Sequence, residues 1–418
     1  MTPEIKQRID KICHGEVPEG YQRTFLGIAP KSWDKSRIDK ICRLSSGSTP
    51  RRDAVENFAG DILWVTSGEL KRRTIEDTQE KISETAVVNS HLEIYDPGTV
   101  VIAIYGLEAA GIRGTVSIIG KQCTISQACM AFTEFKGIDN EFFYYWYLNN
   151  GQVIGLRYAQ GTKQQNLSTD IVGSFPICFP SQGEQQKIAA ILTTQDRVIE
   201  LKEKRLAEKQ RQKKYLMQQL LTGKKRLPGF YGAWSFPKAK ELFQSVSDKD
   251  HNGDLAVLSS TQDRGIVPRD EVDIDIKYDA CSLVNYKKVS KGNFVISLRS
   301  FQGGIEYSTY TGLVSPAYTV LSSRKEISDG YYKQFFKSTD YINRLNVAVY
   351  GIRDGKQISY EDFGRLRIPY PPIKEQDAIA EVLSTADREI ELLQQDIEQE
   401  KQKKKALMQL LLTGIVRV

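Results

Sequence analysis

No stretch of the 418 residues approaches the roughly 20 consecutive apolar side chains that a helix needs to cross a bilayer, so no membrane span is expected. The start, MTPEIKQRID, is charged and has no apolar core, so no signal peptide is expected and a cytoplasmic location is. Histidine is scarce. His14, His91 and His251 are far apart in sequence, which leaves zinc chemistry and histidine-based acid catalysis poorly supplied. The six cysteines, at 13, 42, 123, 129, 178 and 281, form no CxxC pair and are too sparse for a disulfide framework. In a reducing compartment they read as small buried side chains, and no metal site is expected. Charge of one sign is lacking too: 58 basic against 52 acidic residues leave +6, which permits nucleic-acid binding without demanding it. A hydrophobic content of 40% and a charged content of 26% suit a folded chain, long enough for two or three domains.

What is present is a repeat, at an offset of 191 residues. Ser181–Ala189 (SQGEQQKIA) aligns with Pro372–Ala380 (PIKEQDAIA), and Leu216–Gly223 (LMQQLLTG) with Leu407–Gly414 (LMQLLLTG). Upstream, KQQNLS at 163–168 faces DGKQIS at 354–359, and FPICFP at 175–180 faces LRIPYP at 366–371. The repeat weakens toward the start of each half, where Asp61–Ser67 resembles Asp254–Ser260 and Ser126–Ala128 faces Ser315–Ala317. Each half is thus a divergent module of about 150 residues followed by a well-matched one of about 40. Short β-branched and aromatic runs such as Thr99–Tyr105 and Asn293–Leu298 predict a mixed sheet in the divergent modules, with a helix over Asn140–Asn149. The aromatic cluster Phe142–Tyr147 on that helix reads as core rather than as a stacking platform.

The matched modules read as long helices. In the first, Leu192, Ile199, Leu206, Lys213 and Leu220 recur every seven residues, beside Ile188, Gln195, Lys202, Lys209 and Leu216. In the second, the rows are Leu383, Ile390, Ile397, Lys404, Leu411 and Ile379, Ala386, Leu393, Glu400, Leu407. Heptads sustained without glycine or proline predict a coiled coil, closed by Gly223 and Gly414. The pairing side chains are Ile188, Leu192, Ile199, Leu206, Leu216 and Leu220 against Ile379, Leu383, Ile390, Ile397, Leu407 and Leu411. Residues 184–222 carry nine basic and five acidic side chains and 375–413 the reverse, so the helices suit each other better than themselves. A parallel, in-register pair would set Lys213 beside Lys404. An antiparallel pair sets the basic 202–214 stretch against Asp387, Glu389 and Glu391, and is the expectation. Some 38 residues at 1.5 Å each give a spacer of roughly 57 Å, about 17 base pairs of DNA.

These residues resemble the specificity subunits of type I restriction–modification enzymes. The marks are the proline-rich exit and Glu-Gln start of each helix (Pro180 to Gln185, Pro371 to Gln376) and the repeated LMQQLLTG and LMQLLLTG ends. The linker KKRLPGF at 224–230 and the segments at 298–308 and 314–321 carry the likeness into the second module. The implied fold is α+β: two tandem mixed α/β target-recognition domains separated by two long helices that pair as an antiparallel coiled coil. The expected boundaries are 1–20 for an N-terminal extension, 21–180 for the first recognition domain and 181–223 for the central spacer helix. The second recognition domain is then 224–371 and the C-terminal spacer helix 372–418. The resemblance further implies that each domain reads one half of a split, asymmetric double-stranded DNA site. The helices would fix the unread gap and dock two methyltransferase subunits, which bring S-adenosylmethionine and methylate adenine. Motor-nuclease restriction subunits, using ATP and magnesium, would join for restriction.

The chain itself reads as non-catalytic. An adenine methyltransferase needs an [Asp/Asn]-Pro-Pro-[Tyr/Phe] loop, and the nearest string, Tyr370-Pro371-Pro372-Ile373, lacks both flanking groups. Gly106, Gly111 and Gly114 have the wrong spacing for a cofactor turn, and no Walker lysine motif is present. No cofactor is therefore expected in this chain. Arginine and lysine read guanine, and asparagine and glutamine read adenine, by paired hydrogen bonds. The candidates for base readout are Arg113, Lys163, Gln164, Gln165 and Asn166 in the first half, with Arg299, Ser300, Gln302, Arg353, Lys356 and Gln357 in the second. Arg51, Arg52, Lys71, Arg72 and Arg73 are candidates for phosphate contacts, which set affinity without sequence. Two other readings compete: a scaffold whose end domains bind proteins, and a self-sufficient modification enzyme.

Overall fold

The computed structural model describes residues 2–160, 165–262, 264–272, 280–298, 300–348 and 358–418. The chain divides into two compact units: Met1–Leu201 with Ile397–Val418, and Lys202–Asp396.

The first unit is built on a five-stranded sheet: β1 (Arg43–Ser46), β2 (Thr74–Ile75), β3 (Val100–Ala103), β4 (Val116–Ile119) and β5 (Cys129–Thr133), in the order β1-β5-β3-β4-β2. Every ladder is antiparallel except β2–β4. Strand β3 reads VVIA and is buried throughout, a continuous apolar run covered on both faces. A smaller sheet sets Cys123–Ile125 parallel to Ile62–Val65, with Lys81–Ile82 on the other side. Preceding them is helix α1 (Pro3–Cys13), whose N-terminus is capped by the Thr2 hydroxyl.

Helix α2 (Asn140–Tyr158) starts where the Asp139 carboxylate accepts the Phe142 N–H at 2.9 Å. It runs nine residues beyond the expected end at Asn149, through Asn150 and Gly151, which are poor helix formers. The reason is tertiary: a Cβ at Gly151 would lie 2.7 Å from the Tyr147 ring and 3.0 Å from Gly114 Cα, so glycine lets the backbone of 114 seat against the helix. Phe142–Tyr147 are all buried, as a core cluster.

The second unit carries a four-stranded antiparallel sheet of β6 (Phe243–Val246), β7 (Phe294–Ile296), β8 (Glu306–Tyr307) and β9 (Thr319–Ser323), in the order β6-β9-β7-β8. Phe243 packs edge-on to Phe294 and Tyr332, with ring centroids 5.7 and 5.1 Å apart. The weak repeat between the sheets has a structural counterpart in one turn. Ser126 Oγ accepts the Ala128 N–H, and Ser315 Oγ accepts the Ala317 N–H, both at 3.3 Å. The likeness of 61–67 to 254–260 does not extend to strand pairing, since Leu258–Thr261 forms an antiparallel hairpin with Gly265–Pro268.

The long helices are α3 (Gln182–Leu220) and, after the short α4 (Asp329–Phe335), α5 (Ile373–Leu411). Each has 39 residues. Both stop by the same device. Gly223 and Gly414 take φ of +72° and +68°, a conformation that disfavours any side chain. The N–H two residues further on then closes back to the last turn, Lys225 to Gln219 O at 3.1 Å and Val416 to Leu410 O at 3.0 Å. None of the twenty positions in the heptad rows is exposed.

Candidate DNA-reading surfaces and the helix junctions

Inside each unit, the helix segments run antiparallel. In the first, Gln195 Nε2 donates to Glu400 Oε2 at 2.6 Å, and Lys404 pairs with Asp196 at 2.6 Å. In the second, Lys202 pairs with Asp396 at 2.8 Å, Lys209 with Glu389 at 2.6 Å, and Lys213 with Asp387. Lys213 and Lys404 are equivalent in the repeat, and so are Asp196 and Asp387. The lysine layer that a parallel pair would create is thus resolved into two reciprocal ion pairs. Lys209 also holds the exposed Glu389 carboxyl below its ordinary pKa, chiefly through their hydrogen bond.

Each helix start is locked to its recognition domain by the Glu-Gln pair. Gln185 accepts the Asp139 N–H at 2.7 Å and donates to Pro180 O at 2.8 Å; Gln376 accepts the Ser328 N–H at 2.9 Å and donates to Pro371 O at 2.8 Å. Asp139 and Ser328 are the residues that open α2 and α4, so one buried amide fixes the angle between two helices in each unit. The glutamate beside it binds an arginine from the far helix end. Glu375, with no exposed surface, accepts from Arg226 Nε and Nη2 at 2.5 and 2.6 Å and from the Trp234 indole N–H at 2.9 Å. Glu184 takes Arg417 at 2.6 and 2.7 Å. These arginines were missed as functional residues, although a signal existed: each lies three residues after the closing glycine, in Gly223–Arg226 and Gly414–Arg417. Asp196 was missed likewise, whereas Asp387 was expected to face the basic 202–214 stretch, as its pairing with Lys213 bears out. Besides their lysines they accept hydrogen bonds from the recognition domains, Tyr145 Oη at 2.7 Å and Gln334 Nε2 at 2.6 Å.

Of the first-half readout candidates, Arg113, Gln165 and Asn166 come together. Arg113 Nη2 donates to Gln165 Oε1 at 2.5 Å, and its stem lies against Gly155, where any Cβ would meet Arg113 Cγ at 2.6 Å. Gln165 is held by its backbone. Its N–H donates to Glu108 Oε2 at 2.8 Å, and its carbonyl accepts from Leu107 at 3.1 Å. That N–H keeps the Glu108 carboxyl below its ordinary pKa. Asn166 and Gln160 exchange backbone hydrogen bonds at 2.9 Å. Arg113 Nε and Asn166 Oδ1 are buried without a hydrogen-bond partner. Lys163 and Gln164 lie outside the described residues, as do Arg299, Arg353, Lys356 and Gln357.

In the second half, Gln302 is exposed on the helical turn Ser300–Gly303. Ser300 is buried, and its hydroxyl accepts the Ser297 N–H at 2.8 Å, so it shapes this turn and presents nothing to DNA. Gly304 follows with φ +82°, where a Cβ would sit 2.1 Å from Phe336 O.

Among the phosphate candidates, Lys71 and Arg72 are exposed. Arg51 is exposed and pairs with Asp53 at 2.7 Å; Arg52 pairs with Glu80 and stacks 4.6 Å from the Phe58 ring centre. Arg73 does not stand with them. It pairs with Glu141 on α2, lies 3.8 Å from Asp196, and covers the Tyr144 ring, so its charge is balanced at the helix junction. Cys42, Cys123 and Cys129 are buried, and burial pushes their thiols up to about 12. Cys13, by contrast, is exposed. Among the described residues no helix is long and apolar enough to cross a membrane, and no cluster of His, Cys, Asp and Glu has the makings of a metal site.

This arrangement, two sheet-based domains each keyed to a long helix pair by the same side chains, has counterparts among known proteins. The family described as type I restriction modification DNA specificity domain matches residues 30–211 and 233–402, and the chain belongs to that family. The MjaIX type I restriction enzyme specificity subunit of Methanocaldococcus jannaschii is 30% identical over 188 residues, 44% of this chain and 42% of its own length. The putative MjaX specificity subunit of the same organism is 27% identical over 276 residues and is matched over 63% of its length. The chain therefore spans under two thirds of each of these relatives. The MjaVIII specificity subunit matches end to end, 23% identical over 93% of this chain and 94% of that one. The fold is that of the S subunit of the type I restriction–modification system from M. genitalium (TM-score 0.55, 14% identity, 91% of this chain and 96% of that one). A chain solved in a study of type I complex assembly and conformational transition is similar at TM-score 0.57, with 15% identity over 93% of this chain and 99% of that one.

Proposed function

We propose that the chain is the DNA-specificity subunit of a type I restriction–modification complex, without catalytic activity of its own. Each recognition domain reads one half of a split, asymmetric site in double-stranded DNA, and the paired helices hold the unread gap between the halves. The helices also dock two methyltransferase subunits that supply S-adenosylmethionine for adenine methylation, and motor-nuclease subunits that use ATP and magnesium for restriction. The observation that carries this reading is the duplication of the clamps. Gln185 and Gln376, and Glu184 and Glu375, seat two divergent domains on two helices of equal length in the same way. Divergence in the domains with constancy in the seating is what two different readouts on one frame require.

Base readout falls to Arg113, Gln164, Gln165 and Asn166 with Lys163 in the first half, and to Arg299, Gln302, Arg353, Lys356 and Gln357 in the second. Arg51, Arg52, Lys71 and Arg72 supply phosphate contacts. Replacing Gln164 and Gln165 by Ala is expected to relax recognition at one half-site and leave the other intact. Each well-placed paired contact discriminates by about 1–3 kcal/mol, enough to be seen in methylation mapped genome-wide with the reconstituted complex. Equal loss at both halves would show that the two domains do not read separately.

A further inference from the structure

Arg113 stands on the segment 104–115, between β3 and β4, and is fixed to α2 from two sides. Its stem lies against Gly155, and its carbonyl accepts from Gln152 Nε2 at 2.6 Å. Its charge is left unmatched. Arg73, Arg226 and Arg417 each pair with a carboxylate, whereas Arg113 pairs with none among the described residues. Its partner is the neutral Gln165 amide. A neutral acceptor orients a guanidinium without cancelling its charge, so the charge stays available to whatever approaches.

The bond to Gln165 also decides what the pair can recognise. A glutamine reads adenine by accepting from the N6 amino group while donating to N7. Here Oε1 is turned to Arg113, so an adenine amino group would meet the guanidinium instead of a free acceptor. Arginine has no acceptor at all. Arg113 Nε is buried, which leaves the Nη end of the guanidinium as the part that can face DNA. Arg113 and Gln165 together therefore offer donors. Donors match the O6 and N7 acceptors of guanine and oppose the amino group of adenine.

Glu108 supplies the opposite chemistry. It is exposed and accepts the Gln165 backbone N–H at 2.8 Å, so one residue bridges it to Arg113. That bond uses one of several lone pairs on the carboxylate. The Gln165 N–H, and more weakly the Arg113 charge, keep this carboxyl below its ordinary pKa, which leaves it an acceptor at neutral pH. A phosphate would be repelled by it. The N4 amino group of cytosine would donate to it. In the major groove a G·C pair offers two acceptors on guanine and one donor on cytosine, which is the complement of Arg113 with Glu108.

We propose, resting on the base-readout reading given above, that Arg113 and Glu108 read one G·C pair of the first half-site. Arg113 donates to guanine O6 and N7, and Glu108 accepts from cytosine N4. Glu108 thereby becomes a specificity-determining residue, and one base pair of the recognition site acquires an identity.

The test uses the full chain assembled with the methyltransferase subunits of its own system. Genome-wide methylation maps the sites of the wild type, of Arg113→Met, which keeps a stem against Gly155 and loses every donor, and of Glu108→Gln. Both variants are expected to relax the same position of the same half-site, and that position is expected to be a fixed G·C pair in the wild type. Binding to duplexes of the mapped site then probes the contact without relying on a variant. Replacing that guanine by 7-deazaguanine, which removes N7, is expected to weaken the wild type by roughly tenfold. The Arg113→Met complex, which has already lost the contact, is expected to bind the two duplexes alike. Relaxation at an A·T pair, or a wild type indifferent to 7-deazaguanine at every guanine of that half, would overturn the G·C assignment and leave separate reading of the halves standing. Uniform weakening on all sequences with an unaltered preference would overturn it by making Arg113 a phosphate contact. Relaxation of both halves by either single variant would overturn the readout reading as well.

Discussion

Glu375 has no exposed surface, yet it carries a formal charge that Arg226 and Trp234 must offset. The two ends of this ion pair are unequal. The Arg226 side chain keeps a quarter of its surface in water and can turn outward if its partner is lost, whereas the glutamate cannot. Arg226→Ala is therefore expected to cost about 3 kcal/mol and Glu375→Ala about 1–2 kcal/mol, because only the first strands a buried charge. Thermal denaturation of the two variants checks the ranking, and a reversed order would mean that the carboxylate is hydrated. The Glu-Gln pair was legible as a repeated motif, but its role was not. Arg226 and Arg417 lie 149 and 233 residues from the glutamates they hold, and no local pattern announces a contact of that span. Arg73 misled for a related reason. In sequence it sits among exposed cations, and only the fold brings Glu141 and Asp196 to it.

At the scale of elements, the helices were the most legible part, because heptads and charge act over short range and recur. Their charge imbalance, nine basic against five acidic and the reverse, pointed to the antiparallel arrangement that Lys202–Asp396 and Lys404–Asp196 display. The strands were readable one by one as apolar runs such as VVIA, but the parallel pairing of Ile62–Val65 with Cys123–Ile125 was not. That ladder joins residues some sixty positions apart, and its register is set by packing around it. An ion-pair reversal tests the helix geometry. Lys202→Asp and Asp396→Lys are each expected to destabilise the chain, and the double exchange to recover about 0.5–1 kcal/mol of coupling in a double-mutant cycle at low salt. Strictly additive effects would show that these two side chains do not meet in solution.

For the whole molecule, the duplicated plan was visible from the repeat at 191 residues, while the identity of the reading residues was not. Six of the candidates fall outside the described residues, and Arg113, Gln165 and Asn166 are brought together by contacts with Glu108, Leu107 and Gly155 that no spacing rule predicts. A frame of paired helices makes a quantitative demand on DNA. Removing one heptad from each helix takes out about 10 Å of strut, so the unread gap in the recognition site is expected to shorten by about 3 base pairs. Both half-sites are expected to survive. Mapping the methylated positions for the shortened protein measures this directly, and an unchanged gap would sink the ruler.

The first unit is discontinuous: Ile397–Val418 belongs to it, and Met408, Leu411 and Leu412 fill its core beside Ile188 and Leu192. The second unit, Lys202–Asp396, is contiguous. On a ribosome the order of synthesis and the order of completion are therefore opposed: the half that is translated first is finished last. A frameshift near residue 396 would spare the later-made half of the protein and leave the earlier-made half with a hole where its last helical turns belong.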